Sequence, residues 1–281
     1  MGMELYNDLR SAIWAFYEAQ CEVVFSRIKI GPGGDQEEAV HEMRVAAKKI
    51  RTVFRLVEFI APERFDSREE IKGLRRLFRS GALLREMQVN EQVISDYEGL
   101  QVKLYRRLSQ LLLNEARAAM PGYEVERKAF EKKSLTGPGK KVKEILDDVS
   151  EEELVLKTEE FCGLRFRQVL ESMPPNYDAE GIHKTRIFLK EAMYLISILQ
   201  ATGHPWANPE RLQAAKAAAE VAGDWHDREV FYHWLVERLQ VGGSLAGRVK
   251  DYDFLLGDLK AHTRSMVTEY RKRVKQLIMN N

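Results

Sequence analysis

From Glu4 to the end of the chain, apolar residues recur at intervals of three and four, and no convincing run of alternating β-branched residues breaks the pattern. The spacing predicts an all-α protein. A first helix is expected over about Glu4–Ile28, stopped by Gly31-Pro32-Gly33-Gly34. Asp35 stands where a second helix needs a cap, with Glu38 three residues on in a capping-box arrangement, and Ala61-Pro62 ends that helix. Helices follow over about Ser67–Arg85 and Val89–Ala119, the latter ending before Pro121-Gly122, and residues 121–150 around Thr136-Gly137-Pro138-Gly139 read as an irregular connection. Beyond it, helices are expected at about Glu151–Met173, Asp178–Ala201, Pro209–Ala222, Asp224–Gln240 and Gly247–Met279. Pro174-Pro175, Gly203-His204-Pro205 and Gly242-Gly243 mark the turns.

The second helix has an unusual polar side. His41, Arg44, Lys48, Arg51 and Arg55 advance by three or four residues, so on an ideal helix they share an arc of about 80°. Val45, Ile50, Val53, Phe54, Leu56, Val57 and Ile60 fill most of the remaining circumference. No carboxylate interrupts the stripe. Like charges so placed repel unless an anion, an acidic neighbour or open water compensates them. Arginine grips phosphate oxygens with a planar fork and lysine acts as a point charge. Histidine donates to phosphate oxygens and gains charge beside a polyanion. An ordinary solvated face is the plain alternative.

The stripe occurs twice. His183, Arg186 and Lys190 repeat His-x2-Arg-x3-Lys at a displacement of 142, with Met193 and Ser197 where the first copy has Arg51 and Arg55. Ala82-x2-Arg85-Glu86-x2-Val89 lines up with Gly223-x2-His226-Asp227-x2-Val230 at 141, as Cys21 does with Cys162 and Arg75 with Lys216. A nearly constant offset argues for an internal duplication. Arg75, Arg85, Lys216 and His226 thereby join the candidate anion contacts, while Glu86 and Asp227 are expected to brace neighbouring helices. Lys260, Arg264, Arg271 and Lys275 of the last helix are further cations of uncertain register.

The paired His-x2-Arg-x3-Lys helices, each followed about 40 residues later by the small-x2-(Arg/His)-(Asp/Glu)-x2-Val segment, resemble the CHAD family (conserved histidine α-helical domain). The resemblance spans nearly the whole chain. It implies two four-helix-bundle-like repeats, 1–146 and 147–281, related by pseudo-two-fold symmetry around a basic central cleft. It also implies non-enzymatic binding of inorganic polyphosphate, with His41, Arg44, Lys48, Arg51, His183, Arg186 and Lys190 as contacts. The departures, Met193 and Ser197 in the second stripe and Glu86 and Gln88 where the family usually has Asp, leave the fold expectation intact and leave open whether the two halves contribute equally to binding. A nucleic-acid-binding helical protein is the alternative, and a metal-dependent polyphosphate-processing enzyme a third reading.

Composition narrows these choices. With 44 Lys and Arg against 43 Asp and Glu the net charge is only +1, so any attraction for a polyanion must come from local segregation of charge. No stretch reaches the roughly 18–20 apolar residues that a membrane span needs. The N-terminus lacks a basic flank before an apolar core, and two cysteines make no disulfide framework. A cytoplasmic protein is expected, with attachment to polyphosphate granules left open. No Gly-x4-Gly-Lys-Ser/Thr loop, His-x3-His pair or His-Glu-x2-His motif occurs, so no catalytic residue, metal or cofactor is expected. Aromatic residues suited to stacking on single strands are missing from the first stripe, and Tyr194 alone borders the second.

Overall fold

The structure, a computed structural model, describes residues 8–31, 35–97, 101–174, 176–205, 207 and 209–279. Among them there are eleven helices and no strand. The first half holds α1 (Leu9–Arg27), α2 (Gln36–Ile60), the single turn α3 (Ser67–Glu70), α4 (Lys72–Ser80), α5 (Ala82–Ser95), α6 (Val102–Ala129) and α7 (Lys133–Asp148). The second half holds α8 (Glu151–Glu171), α9 (Ala179–Ala201), α10 (Pro209–Leu239) and α11 (Val249–Met279). Residues 4–7 of the expected first helix, Pro32-Gly33-Gly34 and Pro175 lie outside the described residues.

Short polar side chains start several helices by accepting from otherwise unpaired backbone N–H groups. Asp8 accepts from Ser11, Asp35 from Glu38, Ser150 from Glu153 and Asp178 from Glu180. The Asp35 cap is the one read from the sequence, and α2 ends at Ile60 as the Ala61-Pro62 pair requires.

Elsewhere the sequence boundaries shift for identifiable reasons. The helix expected over 67–85 is broken into three pieces at Ile71 and Gly81, and the one over 89–119 is interrupted between α5 and α6. Pro121 lies inside α6, which continues to Ala129, and the supposedly irregular 121–150 stretch contains α7 with Pro138 within it. Packing overrides propensity there. Pro138 and Gly139 are buried, the Tyr17 hydroxyl donates to the Leu135 carbonyl at 2.7 Å, and a Cβ on Gly139 would sit 2.9 Å from the Tyr17 ring. Glycine is needed for that approach. Gly223 does not stop α10, which runs unbroken through it.

Two apolar clusters organise the packing. The larger joins α1, α2, α4, α7, α8 and α9 with the first half of α10 and the last third of α11. The smaller joins α5 and the start of α6 with the second half of α10 and the first part of α11. On α10, Trp225 belongs to the first cluster and Phe231 to the second. On α5, Leu84 and Met87 divide in the same way. The residues between these pairs, Arg85-Glu86 and His226–Val230, fall at the seam. α9 is buried on nearly every side, which is the pattern of a central helix.

Candidate anion-binding site

A cavity of about 530 Å³ opens at the seam. α2 contributes His41, Arg44 and Lys48; α5 contributes Arg85 and Glu86; α9 contributes Arg186 and Lys190; α10 contributes Lys216, Glu220, Asp224, His226 and Asp227. Met193, which replaces the arginine of the first stripe, lines it as well. Cations from both His-x2-Arg-x3-Lys segments therefore face the same space.

At its centre are Lys48, Arg186 and Lys190. Arg186 is only 9 % exposed, its Nε is buried without a hydrogen bond, and it has no ion-pair partner among the described residues. Lys48 and Lys190 likewise lack an acidic partner there. Burial, followed by the charges of Lys190 and Arg186, lowers the Lys48 ammonium to about 7. Burial and Arg186 lower Lys190 to about 8. Arg186 itself is lowered by burial, with Asp227 acting the other way. Desolvation disfavours charge and so does the company of like charges.

The histidines sit beside these cations. The His183 and His226 rings lie 5.0 Å apart between centroids. Burial drives His226 down to about 3, helped by Arg186, His183, Lys48 and Lys190. His183 and His41 are lowered for the same leading reason. In all three, burial and the neighbouring cations favour the neutral ring.

Other predicted residues are spread along the α2 face. Arg44 reaches across to α4, where its guanidinium lies 3.9 Å from the Phe78 ring centroid and donates to the Phe78 carbonyl. Arg85 donates to Gln88 at 3.3 Å. Lys216 is exposed at the rim. Arg51, Arg55 and Arg75 do not reach the central cavity; they line a neighbouring one with Lys48. Arg55 is also not uncompensated. It pairs with Glu191, which is buried on α9 and held from its other side by Arg165 Nε at 2.8 Å. Glu191 follows Lys190 in sequence but points away from the cavity, so the carboxylate missing from the first stripe arrives from the helix of the second.

Glu86 and Asp227 were expected as braces, yet neither makes an ion pair among the described residues. Arg238, the cation nearest in kind for Glu86, is held instead by Glu115 at 2.6 Å. Both carboxyls line the cavity, with burial raising their affinity for protons. Of the last helix, Arg271 is spent on the α8–α9 turn, donating to the Pro174 carbonyl at 2.7 Å. Among the described residues no group of three or more His, Cys, Asp or Glu is gathered as metal ligands would be, and no helix is long and apolar enough to cross a membrane.

The CHAD domain family matches residues 30–236, well over half of the chain. This protein belongs to the CHAD domain family. The crystal structure of the CHAD domain from the plant Ricinus communis is similar, with TM-score 0.72 and 18% identity, covering 98% of this chain and 95% of that one. PptA from Streptomyces chartreusis is similar with TM-score 0.60 and 13% identity, covering 97% and 99%. At those identities the likeness is one of fold. No curated protein matches the chain.

Proposed function

We propose that the protein binds inorganic polyphosphate, without transforming it, in a basic cleft formed where two duplicated helical repeats meet. The reading rests above all on Arg186: a guanidinium nine-tenths buried with no ion-pair partner among the described residues, between Lys48 of one stripe and Lys190 of its own. Stranding unpaired charge away from water costs several kcal/mol. A fold keeps such an arrangement when a ligand supplies the missing charge. Membership of a family associated with polyphosphate binding agrees with that ligand. The pseudo-two-fold relation of residues 1–146 and 147–281 is part of the same proposal, as is a cytoplasmic setting.

A titration with long-chain polyphosphate at two salt concentrations tests it. Affinity falls steeply with salt if cations release counter-ions on binding. Arg44→Glu combined with Arg186→Glu removes binding while helicity persists; unchanged affinity rejects the assigned face. Competition with DNA and RNA at matched phosphate concentration separates the nucleic-acid alternative. Tyr194, the aromatic beside the second stripe, is only 8% exposed and so offers little face to a base. Release of orthophosphate on adding Mg²⁺ or Mn²⁺ would make the protein an enzyme and end the non-enzymatic reading.

A further inference from the structure

Lys48 lines two cavities. Beyond the seam cavity lies one of about 300 Å³, walled by Arg51 and Arg55 of α2, Arg68 of α3, and Arg75 and Phe78 of α4. No acid lines it. A third space of about 400 Å³ shares Arg55 and Arg68 with the second and adds Arg165 of α8. Lys48 is common to the first and second, and Arg55 and Arg68 to the second and third, so their linings overlap along α2 from His41 towards its C-terminus, where Glu58 joins the third.

The charges along that run are unevenly compensated. Arg55 and Arg165 have Glu191. Arg51 and Arg68 have no ion-pair partner among the described residues, and the Arg51 Nε is buried without a hydrogen bond. Arg75 donates to the Arg68 carbonyl at 2.9 Å, fixing α3 against α4 and leaving its positive charge uncancelled.

The other end of the seam cavity is opposite in character. It adjoins a space of about 610 Å³ lined by Asp35, Glu37, Glu38, Asp96, Asp224 and Asp227, against Arg85 and Arg228. Asp224 and Asp227 line the seam cavity as well, so it is the four carboxylates beyond it, Asp35, Glu37, Glu38 and Asp96, that repel a phosphate chain there. An anion anchored by Arg186 therefore meets attraction on one side only.

We propose that a linear polyanion held in the seam cavity extends past Lys48 into the groove between α2 and the α3–α4 segment. There Arg68 and Arg75 grip its next phosphates, and the chain stops short of the acidic mouth. This rests on the proposed polyphosphate reading and adds direction and length to it. A short anion fills the seam cavity alone, whereas a long one also uses the groove.

The experiment compares tripolyphosphate with long-chain polyphosphate on the unsubstituted protein, on Arg68→Ala/Arg75→Ala, and on Arg228→Ala as the loss of one arginine at the acidic mouth. The double variant is expected to bind the long chain roughly tenfold more weakly. Its salt slope for that ligand falls by about two, one per lost phosphate contact. Its tripolyphosphate affinity stays within about twofold, which also reports that the variant is folded. Arg228→Ala leaves both affinities unchanged. Equal losses for both ligands, an unaltered long-chain affinity in the double variant, or a selective long-chain loss in Arg228→Ala overturns the assigned direction. Absence of binding to the unsubstituted protein overturns the polyphosphate reading beneath it.

Discussion

Two groups of cations lie along the inner face of α2, each with one member that is buried, and the fold treats them oppositely. Near its C-terminus, Arg55 and Arg165 close on Glu191 from two sides, and Arg165 also lies 4.2 Å from the Phe161 ring centroid. Two turns earlier, Lys48 meets Arg186 and Lys190 with no carboxylate in ion-pair reach among the described residues. The first group braces α2, α8 and α9. The second stores repulsion in the same core. Membership of a periodic stripe does not decide which role a cation takes; the presence of a counter-charge does.

Glu191 is the carboxylate that separates the two groups. Removing it leaves Arg55 and Arg165 facing each other, and Glu191→Ala is expected to destabilise the fold by about 3 kcal/mol, the low end for a broken buried pair because Arg55 is partly exposed. Urea denaturation measures this. Arg186→Met should act in the other direction. It replaces an unpaired buried charge by an apolar side chain of similar length, and a gain of about 1–2 kcal/mol is expected in the same assay. A loss there would mean that Arg186 is a structural cation after all.

pH sharpens the contrast. Unfolded lysines titrate near 10.4, whereas Lys48 and Lys190 are held at about 7 and 8 in the fold. Above those values the unfolded chain carries more protons than the folded one, so stability without ligand rises between about pH 7 and 8.5. At higher pH the two buried thiols, Cys21 and Cys162, oppose the trend, since burial keeps them protonated in the fold. Affinity for an anion moves the opposite way. The bound form favours protonated lysines, so binding takes up protons and weakens as pH climbs through the same window. Lys48→Met should flatten both profiles, measured by urea midpoints and by titration at pH 7 and 8.5. The smallest effect belongs to the rim: Lys216→Ala, at an exposed position, is expected to cost well under 1 kcal/mol of binding.

Much of this was legible in the sequence. The three- and four-residue spacing, the Asp35 cap and the repeated His-x2-Arg-x3-Lys segments gave the helices and the cations that line the seam cavity. Periodicity places a residue on its own helix but does not say what the neighbouring helix offers. Glu191 is the clearest instance: adjacent to Lys190, it turns to the opposite side of α9 and neutralises an arginine 136 positions away. Arg68 and Arg165 lie outside the duplicated motif, so no internal alignment could mark them. The helices through Pro121, Pro138 and Gly223 were obscured because local breaker chemistry lost to packing, as the Tyr17 contact with Gly139 illustrates.

The most direct test of the account is a single titration of Arg186→Met with long-chain polyphosphate beside the unsubstituted protein. A folded variant whose affinity has dropped at least about tenfold is expected, equivalent to 1.4 kcal/mol or more. A folded variant that binds as tightly as the original would contradict the claim that this stranded guanidinium is held for an anion.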